Sequence, residues 1–129
     1  MSSPKKNSIT VLTDVSLITC IVQRGAGDDI VAAAQDAGAQ GATIYYARGT
    51  GVRERLGILG VAVEVDKAVV NIIVSTDQVD RIFEHLFVVG KLDTPGRGLM
   101  YVTPLEKAAT YIPKDILAKL EAEGMVEGA

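Results

Sequence analysis

The pattern that most constrains the fold is a strand followed by a helix and a second strand. Residues 15–22 are rich in β-branched side chains and predict a strand. Asp28 and Asp29 then favour a helix start, and Gly38 is suited to end that helix. Residues 43–47 predict the next strand. One strand–helix–strand unit therefore occupies the first part of the chain.

The rest of the chain repeats this order. Residues 61–74 predict a long third strand with a bend or bulge at residues 66–67. Thr76 or Asp77 is predicted to cap a second helix, and residues 99–103 predict a fourth strand. The order βαββαβ indicates the α+β class and a ferredoxin-like sandwich, in which two helices cover one face of an antiparallel sheet.

The other face of this predicted sheet needs a cover. Residues 69–74 are apolar on both faces of their strand, so an isolated subunit would expose a large apolar patch, and we expect a homo-oligomer. We divide the chain into a flexible N-terminal segment at 1–14, a ferredoxin-fold domain at 15–112, and a C-terminal helix and tail at 113–129. The short amphipathic helix is predicted to follow Pro113.

Composition excludes several kinds of site. The net charge of −3 provides no general positive field, so we expect no binding to nucleic acid. His85 is the only histidine and Cys20 the only cysteine, which argues against a metal cluster and an internal disulfide. The first residues lack the apolar core of a secretory signal, and we expect a cytoplasmic protein.

Two short glycine loops predict an anion site. Gly49-Thr50-Gly51 and Gly96-Arg97-Gly98 each adjoin a predicted strand and have a basic residue within or beside them. Glycine permits positive φ and close approach of the backbone, while N–H groups and a guanidinium donate to phosphate oxygens. Neither loop completes a dinucleotide fingerprint or a P-loop. If the two halves of the fold correspond, the loops can converge on one nucleotide.

The chain resembles the PII signal-transducer family over roughly residues 15 to 112. The motifs that carry the resemblance are Gly38-Ala39-Gln40-Gly41-Ala42-Thr43, Arg48-Gly49-Thr50-Gly51, Asp77-Gln78-Val79, Gly90-Lys91-Leu92 and Gly96-Arg97-Gly98-Leu99-Met100-Tyr101-Val102. The resemblance implies a homotrimer that is not an enzyme and needs no cofactor. Such a trimer binds adenine nucleotides between its subunits and regulates a partner protein, typically a membrane transporter.

The resemblance also assigns roles to individual residues. The residues near the adenine would be Gly41, Ala42 and Thr43 of one subunit. Those along the nucleotide, from the other subunit, would be Gly49, Thr50, Gly51, Val52 and Arg53, while Gly96, Arg97 and Gly98 would cradle the phosphates. The loop at residues 48–60 would contact the partner protein through Arg53, Glu54, Arg55 and Leu56.

Departures from the family pattern reduce the range of ligands expected for this chain. Arg53 stands where members that bind 2-oxoglutarate carry glutamine, and residues 48–60 contain no tyrosine for uridylylation. Leu99, Thr110 and Ile112 replace cations that lie near the phosphates in the family. Since charge-assisted hydrogen bonds hold the terminal phosphates, we expect AMP or ADP to bind more tightly than ATP.

Two alternative functions stay open at this point. A small hydrolase similar to acylphosphatases would bind a phosphoryl group with Arg24 and orient water with Asn71, and it requires these two side chains to lie close together. An oligomeric interaction protein similar to CutA would bind no nucleotide.

Overall fold

A four-stranded antiparallel sheet forms the centre of the molecule. The computed structural model describes residues 10–39, 41–49, 65–124 and 126–127. The strands of the sheet, in spatial order, are β3 (Thr43–Gly49), β4 (Val65–Ser75), β2 (Val15–Gln23) and β5 (Gly98–Leu105). Helix α1 (Gly27–Asp36) connects β2 to β3, and helix α2 (Val79–Val89) lies between β4 and β5. The predicted α+β class and the order βαββαβ are confirmed.

The hydrophobic core lies between one face of this sheet and the two helices. In β2, the alternate residues Ile18, Cys20 and Val22 are almost completely buried, because successive side chains of a strand point to opposite faces. Ile30 of α1 and Leu86 of α2 are fully buried in the same cluster. Each such aliphatic side chain contributes roughly 1.5–3 kcal/mol on burial, so this face holds the helices in place.

The opposite face of the sheet, here called the open face, carries exposed apolar side chains. Tyr45, Ile73, Leu99 and Tyr101 are between 44% and 59% exposed. The strand register places all four on this face, since they are aligned with residues that alternate with the buried ones of β2 and β4. In the part of the chain that the structure describes, no element covers them.

Strand β4 pairs without interruption along both of its sides. Its partners in β2 run from Val15 to Gln23 and its partners in β3 from Thr43 to Gly49, each in continuous register. The predicted bend or bulge at residues 66–67 is therefore wrong. Lys67 pairs with both Gln23 and Ala47, and Asp66 pairs with Arg48, so neither ladder contains an extra residue there. Residues 61–64 of the predicted strand lie outside the described residues.

Each helix of the core is preceded by a turn of 3-10 helix, at Arg24–Ala26 and at Thr76–Gln78. No side chain caps either element, so the predicted cap at Thr76 or Asp77 is wrong. The 3-10 turn supplies the transition instead, with its own tighter hydrogen bonds. Helix α2 ends at Val89, and the N–H of the next residue, Gly90, donates to the carbonyl of Leu86.

A second, small sheet joins the two ends of the described chain. Strand β1 (Val11–Leu12) pairs antiparallel with β6 (Ala108–Ala109) on one side and with β7 (Val126–Glu127) on the other. Helix α3 (Lys114–Ala122) follows Pro113 as predicted and leads towards β7. The segment predicted to be flexible, residues 1–14, thus includes a paired strand, whereas residues 1–9 lie outside the described residues.

Candidate functional site

The turn before β5 is built around two glycines with positive φ. Gly96 has φ +77° and Gly98 has φ +150°, and a Cβ on Gly98 would lie 2.5 Å from the carbonyl oxygen of Ile21. Gln23 Nε2 donates to the carbonyl of Gly96 across 3.1 Å. Because only glycine fits this approach to β2, Gly98 packs directly against the central strand.

Arg97 lies between these glycines and is half-buried. Its Nε donates to the carbonyl of Gly90 at 3.4 Å, and its backbone N–H donates to Thr94. This contact orients the guanidinium beside the end of α2 while its two terminal nitrogens still offer donors. The geometry is compatible with anion binding at residues 96–98.

Two of the other predicted nucleotide-binding residues, Thr43 and Gly49, lie on β3. Thr43 begins the strand, aligned with Asn71, and Gly49 ends it, aligned with Val65. Gly41 and Ala42 immediately precede the strand. The remaining predicted residues lie outside the described residues: Thr50, Gly51, Val52 and Arg53 of the nucleotide site, and Arg53, Glu54, Arg55 and Leu56 of the partner-binding loop.

The two groups of described site residues occupy opposite edges of the sheet. Strands β3 and β5 are the edge strands, with β4 and β2 between them. At about 4.8 Å per strand spacing, the edges are roughly 14 Å apart, and residues 41–43 are also offset along the strands from residues 96–98. One subunit therefore does not bring residues 41–43 and 96–98 into a single cleft.

The arrangement required for the hydrolase alternative is absent. Arg24 stacks over the ring of Tyr46, with 4.5 Å between Cζ and the ring centroid, on the helix-covered side of the sheet. Asn71 lies on the open face, where its Oδ1 accepts from Thr19 Oγ1 at 2.9 Å. Because the two side chains are on opposite faces, Asn71 cannot orient water at a phosphoryl group held by Arg24, and the prediction is wrong for this pair.

A charged cluster surrounds Arg24 at the end of the sheet where β3 ends and β4 begins. Arg24 Nη1 lies 3.5 Å from Asp66 Oδ2, and Arg48 Nε lies 3.8 Å from Asp66 Oδ1. Arg48 and Asp66 are direct register partners. Asp66 was not among the predicted site residues, because its nearness to Arg24 follows from the sheet order and not from any local pattern.

The one cysteine is an inert core residue. Burial raises the pKa of the Cys20 thiol from 9.0 to about 11, because a thiolate is unfavourable in an apolar surrounding. Cys20 is a free thiol, and among the described residues no group of three metal-binding side chains occurs. Nor does any described helix have the length and apolar character needed to cross a membrane.

We expect Cys20 to reduce stability in alkaline solution. The unfolded chain releases the thiol proton near pH 9, whereas the folded chain holds it until about pH 11, so the free energy of unfolding falls between these values. At pH 10 this amounts to ~1 kcal/mol relative to pH 8. Urea unfolding of wild type and Cys20→Ala at both pH values measures it. An equal fall in the two proteins would contradict the prediction.

Comparison with known proteins decides the family. A sequence profile described as nitrogen regulatory protein P-II matches residues 15–114, which is most of the chain. The chain belongs to the P-II family. The predicted resemblance is therefore confirmed, and with it the PII-like signalling class.

A solved structure agrees with the P-II fold. The crystal structure of Arabidopsis thaliana PII bound to citrate is similar to this chain with a TM-score of 0.58 and 21% sequence identity. The similarity covers 73% of this chain and 79% of the plant protein. At this identity, the comparison shows the shared fold. Among curated protein sequences, none matches the chain significantly.

Proposed function

We propose that this P-II protein is a cytoplasmic, non-catalytic sensor of adenine nucleotides. It forms a homotrimer, binds AMP or ADP more tightly than ATP in the clefts between subunits, and needs no cofactor. Nucleotide binding changes how the loop at residues 48–60 contacts a partner protein, for which a membrane transporter is the candidate. A ligand shifts such a loop only if its contacts differ between loop conformations.

One observation carries the proposal: the described halves of the candidate site lie on opposite edges of one sheet. Residues 41–43 precede or begin edge strand β3, and residues 96–98 lead into edge strand β5. A second copy of the chain can bring its own β3 edge to the β5 edge of the first. A site between subunits therefore fits this arrangement, whereas a site within one subunit does not.

The open face supports assembly. Four large apolar side chains are about half exposed there, and contiguous apolar surface on a soluble protein commonly marks an interface. Packing of these faces around a shared axis would bury them in each subunit. It would also hold neighbouring sheet edges in a fixed relation, as the proposed clefts require.

The preference for AMP or ADP follows from the few cations around the turn. Leu99 directly follows the turn, is 59% exposed and offers no charge to a phosphate. Thr110 and Ile112 likewise supply no cation. Arg97 is then the one cation among residues 96–106, which suits one or two phosphates better than three.

Calorimetric titration with AMP, ADP and ATP, each with and without magnesium, tests the proposal. We expect Arg97→Ala to weaken AMP or ADP binding about 10- to 100-fold, because a charge-assisted hydrogen bond is worth ~1.5–3 kcal/mol. Arg81→Ala is the matched control, since Arg81 is exposed and its side chain bonds only Gln78 among the described residues. Absence of binding at millimolar nucleotide would contradict the sensor proposal and favour the CutA-like alternative.

A further inference from the structure

Two consecutive residues contact the turn at residues 96–98 and the base of the loop at residues 48–60. Gln23, the last residue of β2, donates through Nε2 to Gly96 on the side of β5. Arg24, the next residue, contacts Tyr46 and Asp66 on the side of β3 and β4. The side chains of two adjacent residues thus extend towards the two opposite edges of the sheet, β5 and β3.

The contacts of Arg24 lie at the base of the proposed partner-binding loop. Asp66 is the register partner of Arg48, which lies beside Gly49 at the end of β3. The guanidinium of Arg24 and that of Arg48 approach different oxygens of the same carboxylate. Asp66 therefore links the turn after β2 to the end of the β3–β4 strand pair.

These contacts are individually weak and geometrically demanding. The ion pairs measure 3.5 and 3.8 Å between side chains that are 55–71% exposed, so each is worth little in water. Stacking of Arg24 on Tyr46 adds a cation–π contact that depends on the position of the guanidinium plane. A small displacement of residues 23–24 would consequently change both contacts of Arg24 together.

We infer that Gln23 and Arg24 couple the turn at residues 96–98 to the base of the loop at residues 48–60. Movement of Gly96 acts on the Gln23 amide, and the shared backbone transmits it to Arg24 and hence to Asp66. The link to nucleotide rests on the proposed function, but the coupling between the two ends does not. Gln23 and Arg24 are positioning residues, since neither belongs to the proposed nucleotide site.

Hydrogen–deuterium exchange of the ligand-free protein tests the coupling directly. Gln23→Glu keeps the side-chain shape and removes the donor to Gly96, while Arg24→Ala removes the contacts with Tyr46 and Asp66. We expect each variant to increase exchange about two- to five-fold at its own end, and about twofold at the far end, from the loss of contacts of this strength. The two ends are followed in peptides covering residues 93–99 and residues 44–49 with 65–70.

Matched controls separate coupling from general loosening. Gln35→Glu and Arg81→Ala make the same chemical changes at exposed helix positions and should alter exchange at neither end. At each end, the effect of the double variant Gln23→Glu/Arg24→Ala should be smaller than the sum of the two single-variant effects at that end, because one route carries both. If each single variant changes only its own end, the coupling is overturned.

A second arm adds AMP as the probe. In wild type, AMP should slow exchange at residues 93–99 and change exchange at residues 65–70. In Gln23→Glu, AMP should still slow exchange at residues 93–99, but the change at residues 65–70 should fall by at least half. If AMP changes exchange at residues 65–70 of Gln23→Glu as much as in wild type, the coupling is overturned. If AMP does not bind at all, the proposed nucleotide function fails, and the ligand-free comparison still decides whether the two ends are coupled.

Discussion

Replacing Ile73 with aspartate should convert the proposed trimer into a monomer and abolish the proposed nucleotide binding. Ile73 is 51% exposed in the central strand β4, on the open face. If that face packs against its copies, three carboxylates would be buried without partners, at a cost of several kcal/mol each. Size-exclusion chromatography with light scattering measures the mass, and calorimetry on the same sample measures binding.

Val88→Asp provides the matched control for this experiment. Val88 is even more exposed, at 66%, but lies on helix α2, on the other side of the molecule. This variant should keep the wild-type mass. A trimeric Ile73→Asp protein, or a wild-type protein that is already monomeric, would contradict assembly through the open face.

The second large effect concerns Gly98. We expect Gly98→Ala to lower the free energy of unfolding by about 2–5 kcal/mol, combining backbone strain at φ +150° with overlap against β2. The new Cβ would meet the Ile21 carbonyl oxygen at 2.5 Å and Val22 Cγ1 at 2.9 Å. A carbonyl in the middle of a paired strand cannot move aside without breaking the register.

Urea unfolding at a fixed protein concentration measures this loss, since assembly makes stability depend on concentration. Gly25→Ala is the matched control, because a Cβ there meets no atom within 4 Å and needs no positive φ. It should unfold at nearly the wild-type urea concentration. A Gly98→Ala midpoint equal to that of Gly25→Ala would show that the turn is not held against β2 as described.

Local patterns predicted the core elements well. The predicted strand at residues 15–22 corresponds to Val15–Gln23, and the one at 43–47 to Thr43–Gly49. Side-chain alternation and β-branched content are properties of consecutive residues, so the chain itself displays them. The two-residue strands β1, β6 and β7 were missed because such short segments become strands only through distant partners.

The sequence by itself determined the element order and the glycine turn before β5, because these depend on neighbouring residues and on the intrinsic freedom of glycine. Only the tertiary structure decided which residues meet. The sheet order placed the candidate site residues on opposite edges of the sheet. It also placed Arg24 and Asn71 on opposite faces and brought Gln23 into contact with Gly96. These relations depend on which strands become neighbours, and that choice is made by burial of the whole core.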